Sequence, residues 1–219
     1  MVERIFIDTQ KFNYCRVDET ESKKIIKRWL QHLIKDKSPV QNPIQILVTG
    51  LPGAGKTTFM NQYKKSNFVK LDLDDLVHIF ADKQAVEVTH GRKKLKIEST
   101  QSFHACSDMI ITELDSELKR SNVLSNYNCI YPVYASGLTK GTLQACINSD
   151  DVRIVFLDTT PENCLKRSNE RAKKNGRFLS GDLKFFRQTD KDLRQTLPIV
   201  GLMTKREVTY VNNDRKLDL

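Results

Sequence analysis

The sequence contains no long hydrophobic run. No stretch approaches the roughly 20 consecutive apolar residues that a membrane-spanning helix needs. The segment Met1–Ile5 carries an acid and a base where a signal peptide would have its apolar core. The five cysteines are scattered and include no Cys-x-x-Cys pair, which disfavours a zinc site and a disulfide framework. We therefore expect a cytoplasmic protein with reduced thiols and no membrane partner.

Acidic residues are fewer than basic ones, 27 against 36, which gives a net charge of +9. A basic surface attracts phosphate-bearing partners such as nucleic acid and nucleotides, but the same charge also serves general solubility. Hydrophobic residues make up 39% and charged residues 29% of the 219 positions, as in a globular domain with a full core. Charge by itself leaves the substrate open.

A glycine-rich segment from Gly50 to Thr58 matches the phosphate-binding loop pattern, G-x-x-x-x-G-K-T. An apolar run precedes it and predicts a buried strand, whereas the segment after it lacks Gly and Pro and predicts a helix. We expect Lys56 to reach the β- and γ-phosphates of a nucleoside triphosphate and the Thr57 hydroxyl to coordinate Mg²⁺. The expected nucleotide, ATP with GTP possible, would be bound by Gly50, Gly53, Ala54, Gly55, Lys56, Thr57 and Thr58.

Strand and helix patterns alternate along the chain, which predicts an α/β fold: a five-stranded parallel sheet with helices on both faces. Residues 1–40 are predicted to form an N-terminal helical extension, and residues 41–219 the domain that carries the phosphate loop. The predicted strands are 44–49, 68–72, 129–134, 152–157 and 207–211. The predicted helices are 20–35, 56–65, 74–82, 97–120, 139–147, 161–174 and 182–196.

Three carboxylates, Asp72, Asp74 and Asp75, follow the second predicted strand. Ligands of parallel α/β sheets sit at the carboxyl ends of the strands, on the edge where the phosphate loop opens. Acids there can hold Mg²⁺ through water or accept the proton of an attacking hydroxyl. We assign Asp74 as the general base and Asp72 to substrate or metal, and Asp75 is expected to cap the next helix. The alternative is that Asp74 also merely caps that helix.

Two arginines, Arg167 and Arg171, lie four residues apart on the predicted helix 161–174, hence on one face. Arginines on a helix beside a phosphate loop can stabilise the charge of a transferring phosphoryl group, although a solvated cationic face is the usual explanation of such a pattern. Arg92, in the basic loop predicted at 90–96, and Arg177 are further candidates for contact with an anionic substrate. The last predicted strand leads to Asn212 and Asn213, where a nucleotide base could lie.

With these motifs in place, residues 44–200 resemble small P-loop kinases, and most specifically phage-type polynucleotide kinase. The segments that carry the resemblance are the phosphate loop, the strand-end Asp-Leu-Asp-Asp and the run Cys164–Arg171. The resemblance implies a P-loop NTPase fold with a helical lid, with Asp74 as the base acting on a 5′-hydroxyl and Arg167 and Arg171 as phosphate ligands of the lid helix.

The sequence departs from that family in two places. Leu73 stands where the polynucleotide kinase pattern has an arginine, and the third strand ends at Tyr134 without the acid of an ordinary Walker B motif. The acceptor therefore stays open between a polynucleotide 5′-hydroxyl and a nucleoside, nucleotide or other small metabolite, including a UDP-sugar. A third reading is a nucleotide-dependent switch or nucleic-acid-binding module without acceptor chemistry.

Overall fold

A computed structural model describes residues 19–63, 65–73, 75–76, 87–90, 93–96, 113–175 and 181–214. These residues fall into two compact units. One unit takes the described residues of 19–30 and 73–120, and the other takes those of 31–72 and 121–214. The division of the chain at residue 40 stays a prediction.

Helices and strands alternate over most of the described chain. In chain order the elements are α1 (Glu19–Ile34), β1 (Ile44–Thr49), α2 (Lys56–Asn61), β2 (Phe68–Lys70), β3 (Glu87–His90), β4 (Lys93–Lys96), α3 (Val123–Asn126), β5 (Asn128–Val133), a 3₁₀ turn (Ala135–Gly137), α4 (Leu138–Asn148), β6 (Asp151–Asp158), α5 (Pro161–Asn175), α6 (Leu183–Thr204) and β7 (Val208–Asn212). Residues 113–121 are helical as well. No helix in the described part of the chain is long and apolar enough to span a membrane.

The larger unit is built on a five-stranded sheet in the order β2-β5-β1-β6-β7. All four strand pairs are parallel; in the central strand β1, Val48 lies opposite Pro132 of β5 and Val155 of β6. Five of the six residues of β1 are buried, as expected for a parallel strand covered on both faces. The hydrophobic core around β1 includes Leu138 of α4 and Leu193 of α6. The predicted α/β fold with a five-stranded parallel sheet is confirmed.

The direction in which the chain leaves the strands positions the site. From β1 the chain proceeds to β2 on one side of the sheet, and from β6 it proceeds to β7 on the other. Such a reversal of strand order opens a crevice at the carboxyl ends of the strands, where ligands of α/β proteins bind. The glycine-rich loop follows β1 and therefore lies at this crevice.

Helix α6 is longer than predicted. It runs through Pro198 to Thr204 and ends where Lys205 takes up a left-handed conformation with φ of 53°. A proline inside a helix removes one backbone hydrogen bond and predicts a break. Here the helix continues because Leu197 and Val200, on either side of the proline, are both buried in the core.

The sequence predicts a loop for the basic segment 90–96. The structure instead has the end of β3 and the whole of β4 there. Strands β3 and β4 pair antiparallel in the smaller unit, with Val88 opposite Leu95 and Thr89 opposite Lys94. Each strand has a single apolar residue, Val88 or Leu95, among polar ones, so no alternation of polar and apolar residues marked these strands in the sequence. Gly91 and Arg92, between the two strands, lie outside the described residues.

Candidate active site

The phosphate loop holds its main chain in conformations that favour glycine. The backbone angle φ is 145°, 81° and 93° at Gly50, Gly53 and Gly55. A Cβ atom placed on Gly53 would lie 2.5 Å from the carbonyl oxygen of Cys164 and 2.7 Å from Ser168 Oγ. The loop thus packs directly against α5, and the absent side chain at Gly53 makes that approach possible.

The side chain of Lys56 folds back over the loop from the first position of α2. Its Nζ donates hydrogen bonds to the carbonyl oxygens of Gly50 and Leu51, each at 2.9 Å, and lies 5.5 Å from the ring centroid of Tyr134. Main-chain carbonyls and an aromatic face thus hold the half-buried ammonium group at the loop. A lysine in this place supplies positive charge to a phosphate bound by the loop.

Thr57, next along α2, contacts a buried carboxylate. Its Oγ1 donates to Oδ2 of Asp72 at 3.1 Å, and the same oxygen lies 3.4 Å from Nζ of Lys70. Asp72 is 1% exposed, so the lysine compensates a charge that would be costly alone. A hydroxyl beside a carboxylate fits Mg²⁺, which prefers oxygen ligands and keeps several waters or substrate phosphates. Thr57 and Thr58 are both exposed.

The residue after β7 joins the loop to α5. Asn213 donates from Nδ2 to the carbonyl oxygen of Ala54 at 2.7 Å, and its own carbonyl oxygen accepts from Arg167 at 2.8 Å. Its amide passes over Gly55, where a Cβ atom would lie 2.7 Å from Nδ2. Asn213 therefore links the loop to Arg167, and a nucleotide base near this residue stays a prediction.

The start of α5 is capped as its sequence predicts. Thr160 Oγ1 accepts from the amide of Asn163 at 3.4 Å. Asp214 adds a second tie, since its Oδ1 accepts from the Thr160 amide at 2.9 Å and from Asn163 Nδ2 at 3.0 Å. Burial acts to raise the pKa of Asp214, but these hydrogen bonds outweigh it and the pKa is lowered. The end of β7 and the start of α5 are therefore held together by an ionised carboxylate.

One face of α5 packs against the loop. Cys164, Arg167, Ser168 and Arg171 recur at helical spacing on this face, and Cys164 and Ser168 are buried. Burial raises the pKa of the Cys164 thiol to about 12, with the cations of Lys56 and Arg167 acting in the opposite direction. Arg167 is linked to the loop through Asn213, and Arg171 is half-buried one turn further along.

Three predicted site residues, Asp74, Arg92 and Arg177, lie outside the described residues. Their assignments stay predictions. Asp75 is described and exposed.

The structure adds three residues that the sequence analysis did not place at the site. They are Lys70, Ser168 and Tyr134. Lys70 precedes Asp72 by two residues, and residues two apart in an extended segment share a side, so this signal was available. Ser168 lies four residues after Cys164 and Tyr134 ends the third predicted strand, but their contacts with the loop follow only from tertiary packing.

No family model matches the chain. A relative, the UPF0200 protein TK1334 of Thermococcus kodakarensis, is 23% identical over 172 residues, which are 77% of this chain and 88% of that protein. A chain from the PezAT chromosomal toxin–antitoxin system of Streptococcus pneumoniae matches the structure with a TM-score of 0.63 at 19% identity, covering 96% of this chain and 81% of that one.

A second solved structure, from Chloroflexus aurantiacus, belongs to a protein to which kinase activity is provisionally assigned. It matches with a TM-score of 0.52 at 14% identity, over 82% of this chain and 92% of that one. At these identities the likeness is one of fold. Together with the parallel sheet and the glycine-rich loop after β1, this likeness shows that the chain has the P-loop NTPase fold.

Proposed function

We propose that the protein is an ATP- and Mg²⁺-dependent kinase that transfers the γ-phosphate to a hydroxyl group. One observation supports this proposal above the others. Three groups lie at one edge of the sheet: the loop with Lys56, the Thr57–Asp72 pair, and Arg167. Switch proteins share a phosphate loop with its lysine. An arginine held beside the loop on a neighbouring helix is what favours phosphoryl transfer, since it can stabilise charge on the transferring group.

In the proposed mechanism, the loop amides and Lys56 hold the β- and γ-phosphates. Thr57 and Asp72 would hold Mg²⁺, which when bound neutralises charge on the phosphate oxygens. The acceptor oxygen attacks the γ-phosphorus, the bond from that phosphorus to the bridging oxygen breaks, and ADP leaves. We assign to Asp74 the proton of the acceptor hydroxyl, and to Arg167 and Arg171 the stabilisation of the transferring group.

The acceptor we propose is a polynucleotide 5′-hydroxyl. The resemblance of Cys164–Arg171 to the lid helix of polynucleotide kinases and the net charge of +9 support it. Arg92 and Arg177 are proposed to contact the backbone of that acceptor. Nucleosides, nucleotides and UDP-sugars are the competing acceptors.

The test is transfer of labelled γ-phosphate from ATP to 5′-hydroxyl oligonucleotides, nucleosides and UDP-sugars. Lys56→Ala is expected to lower kcat about 100-fold or more, because electrostatic stabilisation supplies most of this catalysis. Asp74→Asn should also abolish most transfer while leaving ATP binding intact. The exposed Lys65 provides a matched control, and Lys65→Ala should behave as the wild type.

Two outcomes would count against the proposal in different ways. Transfer to small molecules alone would overturn the polynucleotide acceptor and keep the kinase. Nucleotide binding with slow hydrolysis, and no phosphorylated product from any acceptor, would overturn the kinase in favour of a nucleotide-dependent switch.

A further inference from the structure

The backbone of Asn213 is held by the sheet. Its amide donates to the carbonyl oxygen of Asp158 at 2.9 Å, which extends the pairing of β6 and β7 by one more hydrogen bond. The residue therefore projects from a rigid strand end. Sites supported by strands hold their side chains more accurately than sites supported by loops.

The side chain of Asn213 acts on the peptide unit between Ala54 and Gly55. Its Nδ2 donates to the Ala54 carbonyl oxygen at 2.7 Å, and Thr159 Oγ1 lies 3.5 Å from the same oxygen. A trans peptide is planar, and its carbonyl and N–H point in opposite directions. Holding the Ala54 carbonyl toward Asn213 thus directs the Gly55 N–H away from it. Amides of such loops are the donors that surround a phosphate.

The main chain of Asn213 acts on Arg167. One guanidinium nitrogen of Arg167 donates to the Asn213 carbonyl oxygen at 2.8 Å. Because the guanidinium group is planar, one hydrogen bond restricts the orientation of all its N–H donors. One residue therefore orients a loop peptide through its side chain and an arginine of α5 through its backbone.

We propose that Asn213 is a positioning residue that couples the phosphate loop to Arg167, so that the loop and the arginine contact the same triphosphate. This inference rests on the nucleotide-binding part of the proposed function. The fit over Gly55 supports it, since any side chain there would meet the Asn213 amide. Asn213 touches no reacting atom in this assignment.

The test is a double-mutant cycle on the affinity for a fluorescent ATP analogue with Mg²⁺. Asn213→Ala is expected to weaken binding about 5- to 10-fold, the effect of one loop-orienting hydrogen bond. Arg167→Met should weaken it by a similar factor. The double variant should bind about as well as the weaker single variant, because the two residues act as one unit.

Asn169→Ala on the exposed side of α5 is the matched control and should bind as the wild type. Asn213→Asp keeps the size of the side chain while replacing the donor with an acceptor, and should weaken binding more than Asn213→Ala. Melting temperatures of all variants without nucleotide accompany the cycle. A purely structural role would lower the melting temperature and leave the two affinity losses multiplicative.

Multiplicative losses, or an Asn213→Ala variant that binds like the control, would overturn the coupling. If the wild type binds the analogue but phosphorylates no acceptor, the kinase proposal fails while the cycle still decides the role of Asn213. Absence of nucleotide binding by the wild type would overturn both.

Discussion

At Gly53 the main chain of the phosphate loop touches helix α5. The pattern of glycines in the sequence indicates a phosphate loop, but it does not say which glycine has no room for a side chain. In the structure an added Cβ would lie 2.9, 2.5 and 2.7 Å from another atom at Gly50, Gly53 and Gly55, and the shortest of these contacts, at Gly53, is with a backbone oxygen of α5. The φ of 81° at Gly53 adds strain for any other residue.

Gly53→Ala is expected to lower the free energy of unfolding by about 3 kcal/mol, from backbone strain and overpacking against Cys164 and Ser168. Nucleotide binding should be lost with it. Gly137 is the matched control, since an added Cβ there meets no atom within 4 Å. Gly137→Ala should change stability by no more than about 0.5 kcal/mol. Urea unfolding measures both, and equal stabilities for the two variants would contradict the close packing of the loop.

The aspartates after β2 illustrate what spacing alone leaves undecided. Asp72, Asp74 and Asp75 are nearly equivalent in sequence, and their spacing assigns Asp72 to substrate or metal only as a prediction. The structure brings Asp72 into contact with Thr57 and Lys70. That arrangement depends on two segments that meet only in the folded sheet.

Of the helices whose full predicted range lies in the described part of the chain, α6 departs most from its predicted bounds. Local sequence rules favour an end near Pro198, because proline lacks the N–H that would donate to the carbonyl of Arg194. The helix continues to Thr204. Burial of apolar residues on both sides of the proline outweighs the loss of one hydrogen bond. Tertiary packing therefore decides where this helix ends.

Pro198→Ala is expected to raise the free energy of unfolding by about 1 kcal/mol, because alanine restores the missing donor and fits a helix interior better. Proline limits the freedom of the unfolded chain, which reduces the gain. Leu197→Ala, at the buried neighbour, should instead cost about 2–5 kcal/mol. Denaturant unfolding separates the two effects. A loss of stability in Pro198→Ala would mean that the core needs the local bend that proline imposes.

Helix α5 is the opposite case, since its bounds follow from local signals. Thr160 as the capping residue and Pro161 at the first helical position both indicate the observed start. The sequence also placed Arg167 and Arg171 on one face. That this face lies toward the loop was a hypothesis, and the packing of Gly53 against Cys164 and Ser168 and the hydrogen bond from Arg167 to Asn213 support it.

For the whole molecule, the net charge of +9 bears on the acceptor. A polynucleotide is bound partly through release of counterions from its phosphates, and a neutral small acceptor is not. Charge therefore becomes informative only when the affinity for each acceptor is measured as a function of salt.

If the acceptor is single-stranded nucleic acid, the logarithm of its binding constant should fall with the logarithm of salt concentration. The slope should be about −2 to −3 for three or four neutralised phosphates. This slope is measured from oligonucleotide binding between about 50 and 200 mM salt, because the affinity changes strongly over that range. A nucleoside titrated in parallel should show almost no slope. A flat response for the oligonucleotide would argue against a polynucleotide acceptor.

The sequence by itself determined the α/β class, the positions of the five parallel strands and the phosphate loop with Lys56 and Thr57. These features are local, because hydrophobic runs, capping residues and glycine spacing depend only on residues that are close together in the sequence. Tertiary structure alone decided the strand order, the continuation of α6 past Pro198, the partner of Thr57 and the bridge through Asn213. Asn213 and Ala54 are 159 residues apart, and only the folded sheet brings their hydrogen-bonding groups together.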